Sequence, residues 1–433
     1  MEVRDPVHGS IHISTEIEPI IKHNFFQRLR YIKQLGFSEF VFPGATHSRF
    51  IHSIGVMHVG TLAFNRLFKN LGDSSDVNRL RETFKLGCLL HDIGHAPLSH
   101  STETVMPSLG DLKIPSEFLS KGDSLDRQAT HEDYTIKSIA DSSFTEAFHL
   151  IESKYGVKRK YIADLIRGET SDKEYFTINN KNYFPILHQL ISSELDCDRM
   201  DYLLRDSYFC GVSYGNYDLD WILDNIQCCE IDRNIFLGIT ERAVVTFDDF
   251  LLSRYHMFLM VYFHYRPVCL EQLLYKYFKT SPGEYSIPGD IEAYQEHDDH
   301  HLLKILRKSS NQYAQAIVRN EIPQKIYESY NFEQLSILEK AESYLKSINA
   351  DYIRGSSSGR LSKYYTNENQ EKKYPIYVSR SNFYTKKQEL ININQATELF
   401  NKFSESHAVN RLHCNLENLK EHERIKLREI LSN

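Results

Sequence analysis

The chain has 433 residues, of which 41% are hydrophobic, enough to bury a large core in one to three domains. Its formal net charge is −7, and its 51 basic and 58 acidic residues are interspersed, which argues against a surface built for nucleic acid or membranes. Seven cysteines without a CxxC pair favour a reduced setting. The most apolar long run, residues 250–267, is interrupted by Arg254, His256 and His264. We therefore expect a folded cytoplasmic protein that does not span a membrane.

Helical periodicity dominates from about residue 17 to residue 280, where apolar residues recur at spacings of three and four. The predicted helices contain IEPIIKHNFFQRLRYIKQL, HSIGVMHVGTLAFNRLFKNL, LRETFKLGCLLHDI and FPILHQLISSELDCDRMDYLLRDS. The run QCCEIDRNIFLGITERAVVTF predicts a short β-hairpin, with its strands separated by Asp232, Arg233 and Asn234. Helix is predicted to resume at Asp248.

The sequence changes character after Thr280, where TSPGEYSIPGD is typical of a linker. We expect helices at about 289–306 and 332–348, a flexible loop in RGSSSGRLSK and a small mixed lobe that includes KYPIYVSRSN. The predicted fold class is mostly α: a helical core with a short β-hairpin over residues 1–280, followed by a small mixed α/β C-terminal lobe over residues 281–433.

The stretch CLLHDIGHAPLSHSTE holds three histidines and two acids within sixteen residues, directly after an apolar run that is typical of a helix end. Adjacent His91 and Asp92 can face one point only if the helix ends there, and Ile93-Gly94 supplies that irregularity. An imidazole beside a carboxylate suits a divalent transition metal, but two ligands do not hold an ion tightly. The pattern therefore requires further ligands from elsewhere in the chain.

A second polar feature lies on the helix predicted around DCDRMDYLLRDS. One of its faces carries polar residues at helical spacing from Asp198, namely Asp201, Tyr202, Arg205 and Asp206. The opposite side is apolar, and the preceding FPILHQLI is strongly apolar, so we expect the helix to be buried. Buried acids need cations or a metal as partners.

Several motifs in this chain occur in the order found in one family. They are DPVHG at 5–9, FQRLRYIKQLG at 26–36, VFPGATHSRFIHSIGV at 41–56, LLHDIGHAPLSH at 89–100, HE at 131–132 and DCDRMDYLLRDS at 196–207. Residues 2–280 thereby resemble HD-domain phosphohydrolases, and most closely the deoxynucleoside triphosphate triphosphohydrolase (dNTPase) branch, which includes bacterial enzymes and the mammalian SAM- and HD-domain dNTPase. The resemblance is specific because several long motifs lie in register. The last 150 or so residues match only loosely.

The resemblance implies a metal site. The family's H…HD…D ligands fall on His52, His91, Asp92 and Asp198. Any one of these could be a satisfied core histidine or a helix-capping aspartate, but four matched ligands favour the metal. The ion is left open among Mn, Fe, Zn and Mg. The implied reaction is hydrolysis between the 5′ oxygen and the α-phosphorus of a dNTP, which releases tripolyphosphate and a deoxynucleoside.

The resemblance also implies acid–base residues near the metal. His100 is the candidate acid for the leaving group, and Glu103, an Asp in some relatives, would orient it. His95 would contact phosphate. His131 and Glu132 would form a second acid–base or phosphate-binding pair, with a surface role for His131 as the alternative. The residues leave open whether His100 or His131 donates the proton.

Phosphate and sugar contacts follow from the same resemblance. Arg49, Arg199 and Arg254 would neutralise the triphosphate, although each could instead be a structural ion-pair partner. The sugar contacts would come from Gln34 and Leu35 at the ribose edge, Tyr202 stacked on the sugar, Asp206 at the 3′ hydroxyl and Tyr262 where a 2′ hydroxyl would sit. Core packing is the alternative for Leu35 and Tyr262.

Two departures from the family pattern bear on regulation. Lys22 stands where the mammalian relative has a guanine-recognising acid, and a cation cannot accept from a guanine edge, which argues against activation by GTP. Gln27, Arg28 and Arg30 match, so another nucleotide effector stays open. Ile51 replaces the usual acid before His52, which we expect to change the surroundings of the metal without loss of the ion. Relatives form dimers, tetramers or hexamers, which implies a homo-oligomer.

Two other functions compete with the dNTPase interpretation. An HD phosphodiesterase or nucleotidase would act on monophosphates, cyclic nucleotides or nucleic-acid ends. A nucleotide-sensing HD protein would have no turnover. The helix that carries Tyr202 and Asp206 favours the triphosphate substrate, and the presence of all four metal ligands disfavours a non-catalytic protein.

Overall fold

The computed structural model describes residues 1–330, 335–360, 374–381, 384, 388–397, 399 and 406–432. Within these residues the α-helices, α1 to α18 in chain order, are Glu18–Lys22, Asn24–Gln27, Arg49–Leu67, Ser75–Leu90, His131–Ala140, His149–Tyr155, Arg159–Arg167, Phe184–Ile191, Cys197–Cys210, Leu219–Asn225, Val244–Met257, Tyr265–Thr280, Ile291–Tyr294, Asp299–Lys308, Gln312–Arg319, Leu335–Ser347, Ile393–Ala396 and Glu421–Leu431. The strands, β1 to β11, are Glu2–Asp5, Gly9–His12, Thr177–Ile178, Lys181–Asn182, Ile226–Ile231, Asn234–Thr240, Lys325–Tyr330, Tyr352–Arg360, Tyr377–Ser381, Gln388–Asn392 and Ser406–Cys414.

The core of the fold is helical, as the periodicity predicts. Helix α3 lies against both α4 and α9, and its buried residues run along nearly its whole length. One cluster of buried apolar side chains extends from Ile11 to Ile393 and joins the helices to part of the sheets. The mostly α class, with a hairpin and a mixed C-terminal part, is therefore confirmed.

Local capping fixes where the helices that border the site begin. The Ser74 hydroxyl accepts from the Val77 amide at the start of α4, and the Asp196 carboxylate accepts from the Arg199 amide (2.8 Å) at the start of α9. Gly211, at φ 68°, ends α9 in the left-handed conformation. These ends place His91 directly after α4 and Asp198 in the first turn of α9.

Small sheets flank the helices. Strands β1 and β2 form an antiparallel hairpin, β7–β11–β8 form a three-stranded sheet, and β10–β9–β6–β4–β3 form a larger sheet in which β5 pairs with β6. The hairpin predicted around residues 232–234 is β5–β6, and its turn residues Asp232 and Arg233 both have positive φ.

Three predicted boundaries differ from the structure. The AVVTF end of the predicted hairpin contains the start of α11, because buried Phe247, Phe250 and Leu251 follow helical spacing there. The predicted helix at 289–306 is divided into α13 and α14, which starts after the Asp298 cap. The predicted helix at 332–348 corresponds to α16, which starts at Leu335, and residues 332–334 lie outside the described part.

The segment RGSSSGRLSK, predicted to be a flexible loop, begins as a β-strand. Its first seven residues belong to β8, which pairs with β11 along its length. Small polar residues have low strand propensity, but backbone pairing with a neighbouring strand overrides it. Residues 361–363 lie outside the described part. The domain boundary near residue 281 stays a prediction; Ile287 and Leu302, beyond it, pack in the same apolar cluster as α3.

No helix among the described residues has the length and apolar character that a bilayer crossing requires.

Candidate active site

A cavity of about 520 Å³ opens between the helices, within the size range of ligand pockets. Its walls come from the start of α3, the turn after α4, the starts of α5 and α9, and the chain from Phe258 to Glu271. Residues Phe258–Tyr262 form a π-helical turn, which re-aims side chains and is common at functional sites. The predicted site residues therefore come from distant segments and meet in one place.

The four predicted metal ligands converge beside this cavity. His52 Nε2 lies 3.0 Å from Asp198 Oδ1, and His91 Nε2 lies 3.5 Å from the same oxygen. Asp92 completes the group, with Oδ1 3.5 Å from His91 Nε2. One ligand atom each of His52, His91 and Asp198 lies within 4.8 Å of the others. Metal–ligand bonds of about 2.0–2.2 Å place neighbouring ligand atoms at comparable separations.

Both histidines are held in the tautomer that a metal requires. His52 donates from Nδ1 to Asp201 Oδ2 (2.8 Å), and His91 donates from Nδ1 to the Cys88 carbonyl (2.8 Å). Each Nε2 is thereby turned toward the shared point; it is buried and makes no hydrogen bond of good geometry among the described residues, although Asp198 Oδ1 lies 3.0 Å from one and 3.5 Å from the other. Metal-ligating histidines show this pattern. The donor set and its orphaned nitrogens therefore fit a divalent metal ion.

The charges of the ligands favour a cation. Burial alone would lower the pKa of each histidine, but the carboxylates raise the pKa of His52 to about 9 and that of His91 to about 10. Burial alone would raise the pKa of Asp92 and Asp198, yet His91 and the other neighbouring basic groups hold both well below the usual range. In the metal-free protein, protons take the place that an ion would occupy.

Asp201 connects His52 to the N-terminal hairpin. Its Oδ1 accepts from His8 Nε2 (2.6 Å), and Arg205 donates to both of its oxygens. Arg205 also donates to Asp5 Oδ2 (2.8 Å). All of these groups are buried or nearly so. The contact requires Gly55 on α3, because a Cβ there would lie 2.0 Å from Asp201 Oδ1.

A second cluster lies beside the metal ligands. His95, His100, Glu103 and His131 each offer one atom within 4.8 Å of the others. Glu103 Oε1 accepts from His100 Nδ1 (3.0 Å) and from His131 Nδ1 (2.5 Å), and the His95 and His131 rings stack at 4.0 Å. Burial would raise the pKa of Glu103, but its two imidazole partners lower it to about 2. Glu132, predicted to act with His131, is exposed and lines the same cavity, while His131 bonds to Glu103.

His95 differs from its neighbours because it is buried and stays neutral. Burial, together with Arg49 and His131, holds its pKa well below the usual range. Its Nε2 lies 3.3 Å from Asp92 Oδ1, and its Nδ1 is buried without a hydrogen-bond partner among the described residues. A neutral imidazole with a free nitrogen can donate to or accept from a ligand in the cavity.

The turn after α4 is strained and firmly held. Leu98 and Ser99 both adopt the left-handed conformation (φ 56° and 60°), which non-glycine residues rarely adopt. The buried Asp299 carboxylate of α14 accepts from the Leu98 amide (2.7 Å) and the Lys33 amide (3.0 Å). Ser99 accepts from Arg49 Nε (2.9 Å), and the other end of Arg49 donates to Asp92. The backbone that carries His95 and His100 is thus tied to two distant segments.

Most of the predicted substrate residues line the cavity. Gln34, Leu35, Arg49, Arg199, Tyr202, Asp206 and Tyr262 all do so. Arg199 also donates to Glu194 Oε2 (2.8 Å). Arg254 is not among the lining residues, and its NH1 donates to the same Glu194 oxygen (3.1 Å), which favours the ion-pair alternative for this residue.

Asp206 is already bonded on both oxygens. It accepts from His47 Nε2 (2.7 Å) and from the Tyr262 hydroxyl (2.8 Å). The Tyr202 and Tyr262 rings meet edge to face at 6.2 Å. The bond to Asp206 fixes Tyr262, and the ring contact places Tyr202 beside it in the wall of the cavity. An incoming hydroxyl would have to share Asp206 with His47 and Tyr262.

Sequence reasoning missed the groups that support the site. His8 lies in the DPVHG motif, and Asp201 and Arg205 lie on the polar face of the helix. The sequence therefore marks these residues but does not show that they support His52. Asp299 and Glu271 carried no signal, because their contacts lie more than 150 residues away in the sequence.

Comparisons with known proteins agree with this geometry. Residues 49–205 match the family model described as the HD domain. The uncharacterized protein YwfO of Bacillus subtilis is 34% identical over 263 residues, which cover 60% of this chain and 51% of that protein. A Dictyostelium discoideum homologue of the deoxynucleoside triphosphate triphosphohydrolase SAMHD1 is 30% identical over 267 residues, 60% of this chain and 46% of that protein.

The whole fold also has a solved counterpart. A hypothetical protein from Aquifex aeolicus matches with a TM-score of 0.73 and 25% identity, covering 99% of both chains. The chain spans 51% to 62% of the length of the first four curated relatives that it matches.

Fold and site together define a helical protein whose His52, His91, Asp92 and Asp198 could hold a metal ion beside a cavity. Residues 49–205 match the HD domain, and the chain is similar to proteins named as dNTP triphosphohydrolases.

Proposed function

We propose that this protein is a metal-dependent phosphohydrolase that converts dNTPs to deoxynucleosides and tripolyphosphate. The observation that carries the proposal is the pair of buried Nε2 atoms of His52 and His91, aimed with Asp92 and Asp198 at one point beside a cavity of nucleotide size. The SAMHD1 relatives support the triphosphate substrate. A divalent ion held there would supply Lewis acidity toward the α-phosphate and acidify water.

The residues of the chain would carry the remaining chemistry. Water attacks the α-phosphorus, and the bond to the 5′ oxygen breaks. That oxygen is a poor leaving group, so it needs a proton from His100 or His131. Glu103 Oε1 accepts from Nδ1 of both imidazoles and so fixes their orientation. Its position between them supports either histidine as the acid.

Substrate binding would use the rest of the cavity. Arg199 and the neutral His95 would contact phosphate oxygens, while Arg49 holds Asp92 and partly offsets the charge of the acids. Gln34 and Leu35 would contact the ribose edge. Tyr202 and Tyr262 would form the wall that excludes a 2′ hydroxyl, with Asp206 near the 3′ hydroxyl.

Homo-oligomer formation, a nucleotide effector and a cytoplasmic location stay predictions from the sequence. The identity of the ion among Mn, Fe, Zn and Mg is likewise open to measurement.

The test is product identification. The protein is incubated with each dNTP and rNTP plus Mn²⁺ or Mg²⁺, and the phosphorus products are resolved by ³¹P NMR. Tripolyphosphate from dNTPs is the expected result, whereas orthophosphate, pyrophosphate or no product would contradict it. A variant carrying His91→Ala and Asp92→Ala must be inactive; activity that survives would belong to a contaminant.

A further inference from the structure

The first half of α12 forms a wall of the cavity that contains none of the metal ligands. Pro267 and Glu271, one helical turn apart on α12, both line the cavity. Helix α12 packs against the short helices Gly36–Phe40 and Ser99–Val105, whose residues Gly36 and Ser101 line the same wall. The metal ligands belong to α3, the end of α4 and α9, so this wall is built from different elements.

Glu271 differs from four of the other five acids that line the cavity; the fifth, Glu132, is exposed. Asp92 pairs with Arg49, Asp198 with His52, Asp196 with Arg199, and Asp206 with His47. In the described part of the chain, no basic group lies within ion-pair distance of the half-buried Glu271. Its partner is the Ser101 hydroxyl, and burial raises its pKa to about 7, so hydrogen-bond donors from a ligand are what would hold it ionised. Such an acid is costly unless a ligand supplies hydrogen-bond donors.

The position of the wall indicates which part of a nucleotide reaches it, provided that the proposed function holds. With the α-phosphate at the metal ligands and the sugar beside Gln34, Leu35 and Tyr262, the base lies beyond the sugar. Gly36 directly follows the Gln34–Leu35 edge, and α12 begins three residues after Tyr262. The base therefore falls against the wall that holds Glu271.

We propose that Glu271 determines base specificity, by accepting hydrogen bonds from N–H groups on the edge of the nucleobase. Guanine presents two such donors side by side, which match the two oxygens of a carboxylate. Adenine and cytosine present one amino group beside a ring nitrogen that repels a carboxylate, and thymine presents one N–H between two carbonyls. The preferred substrate class is thus the guanine deoxynucleotides, ahead of the other three.

A competition assay tests this assignment. The protein is given an equimolar mixture of the four dNTPs with Mn²⁺, and the released deoxynucleosides are separated by chromatography. The product ratios report relative kcat/KM and do not depend on how much of a variant is folded. Wild type, Glu271→Gln and Glu271→Ala are compared, with Glu339→Gln on the exposed side of α16 as the matched control.

The expected result is that deoxyguanosine leads in the wild type and in the control. In both Glu271 variants its lead should fall about tenfold or more, because a lost hydrogen-bond match to a charged group discriminates by at least that factor. Unchanged ratios in the variants, loss of all turnover in both, or a wild type that does not favour guanine would overturn the assignment. Absence of tripolyphosphate from every dNTP in the wild type would instead overturn the proposed function.

Discussion

Glu103 is the residue on which the two candidate proton donors depend. Its Oε1 accepts from both His100 and His131, so one carboxylate orients two imidazoles that lie next to the metal ligands. Its pKa of about 2 means that it stays ionised throughout the neutral range. The sequence suggested Glu132 as the companion of His131; both line the cavity, and the fold adds a direct bond from His131 to Glu103.

Substitution of Glu103 tests its role as an orienting group. Glu103→Gln keeps the shape of the side chain but replaces the carboxylate that accepts from both imidazoles with an amide, so the imidazoles lose their orientation and kcat should fall by about 10²- to 10⁴-fold. Metal content, measured by elemental analysis, should not change, because Glu103 does not contact the metal ligands. Glu117→Gln, on the short helix Ser116–Phe118, is the control. Loss of metal in Glu103→Gln would assign the residue to the metal site.

At the scale of elements, the N-terminal hairpin β1–β2 supports His52, the proposed metal ligand on α3. Its tip residue His8 donates to Asp201, which in turn accepts from His52. Asp5 accepts from Arg205, which also holds Asp201. A carboxylate that bonds a metal-ligating histidine fixes its orientation and raises its basicity.

A double-mutant cycle measures this connection. Asp201→Asn should weaken metal binding by about 10- to 100-fold, because partners of ligating histidines have effects of this size. His8→Ala should weaken it less, and its effect should largely disappear when Asp201 is already changed. Isothermal titration of the metal-free variants gives the affinities. Fully additive effects would show that His8 acts independently of Asp201.

Helix α14 holds the turn that bears His95 and His100. Asp299 accepts from the Leu98 and Lys33 amides and is buried, and burial raises its pKa to about 6. The two left-handed residues of the turn are costly, by about 1–3 kcal/mol each, and need such anchoring. Lys33 directly precedes Gln34, which lines the cavity. The Asp299 carboxylate therefore aligns two walls of the cavity, the turn at Leu98 and the segment at Gln34.

Loss of this anchor should affect turnover more than metal binding. Asp299→Ala leaves two amides without their acceptor and releases the turn, so kcat should fall at least tenfold while metal affinity stays within about threefold. Asp298→Ala, which removes only the cap of α14, is the neighbouring control. An equal loss of metal affinity in Asp299→Ala would mean that the turn and the metal site form one unit.

At the scale of the whole molecule, the proposed metal ligands join three helices. His52 belongs to α3, His91 and Asp92 follow α4, and Asp198 belongs to α9. An ion bound by all three stabilises only the folded state, by about 2.7 kcal/mol at a concentration one hundred times the dissociation constant.

The stabilisation by metal should grow with pH. The pKa values of His52 and His91 are raised to about 9 and 10 in the metal-free protein, so protonation of these residues contributes stability that is full below about pH 6.5 and is lost as the pH rises toward 10. Metal must displace these protons, so its affinity should rise between pH 6 and 9. Calorimetric scans with and without Mn²⁺ should show a larger increase of the unfolding temperature at pH 8.5 than at pH 6.5. If the increase in unfolding temperature caused by Mn²⁺ did not depend on pH, His52 and His91 would not be the ligands.

The His91–Asp92 pair was predictable from the residues themselves because its chemistry is local, whereas the acid–base and substrate residues were implied by the family resemblance. The pair needs a helix end and a turn, and CLLHDIGH contains both; the burial of α9 follows from its apolar side. Helical spacing likewise determined the mostly α class. Spacing within one segment is sufficient for such features, since the residues that interact are three or four positions apart.

Only the tertiary structure decided which distant residues complete the site. Strand β8 forms because β11 pairs with it. Arg254 donates to Glu194, and Glu103 accepts from His131. Glu271 of α12 lines the cavity. Each of these outcomes depends on contacts between segments far apart in the chain. Local propensity carries no information about such contacts, because burial and pairing energies arise only when the segments pack together.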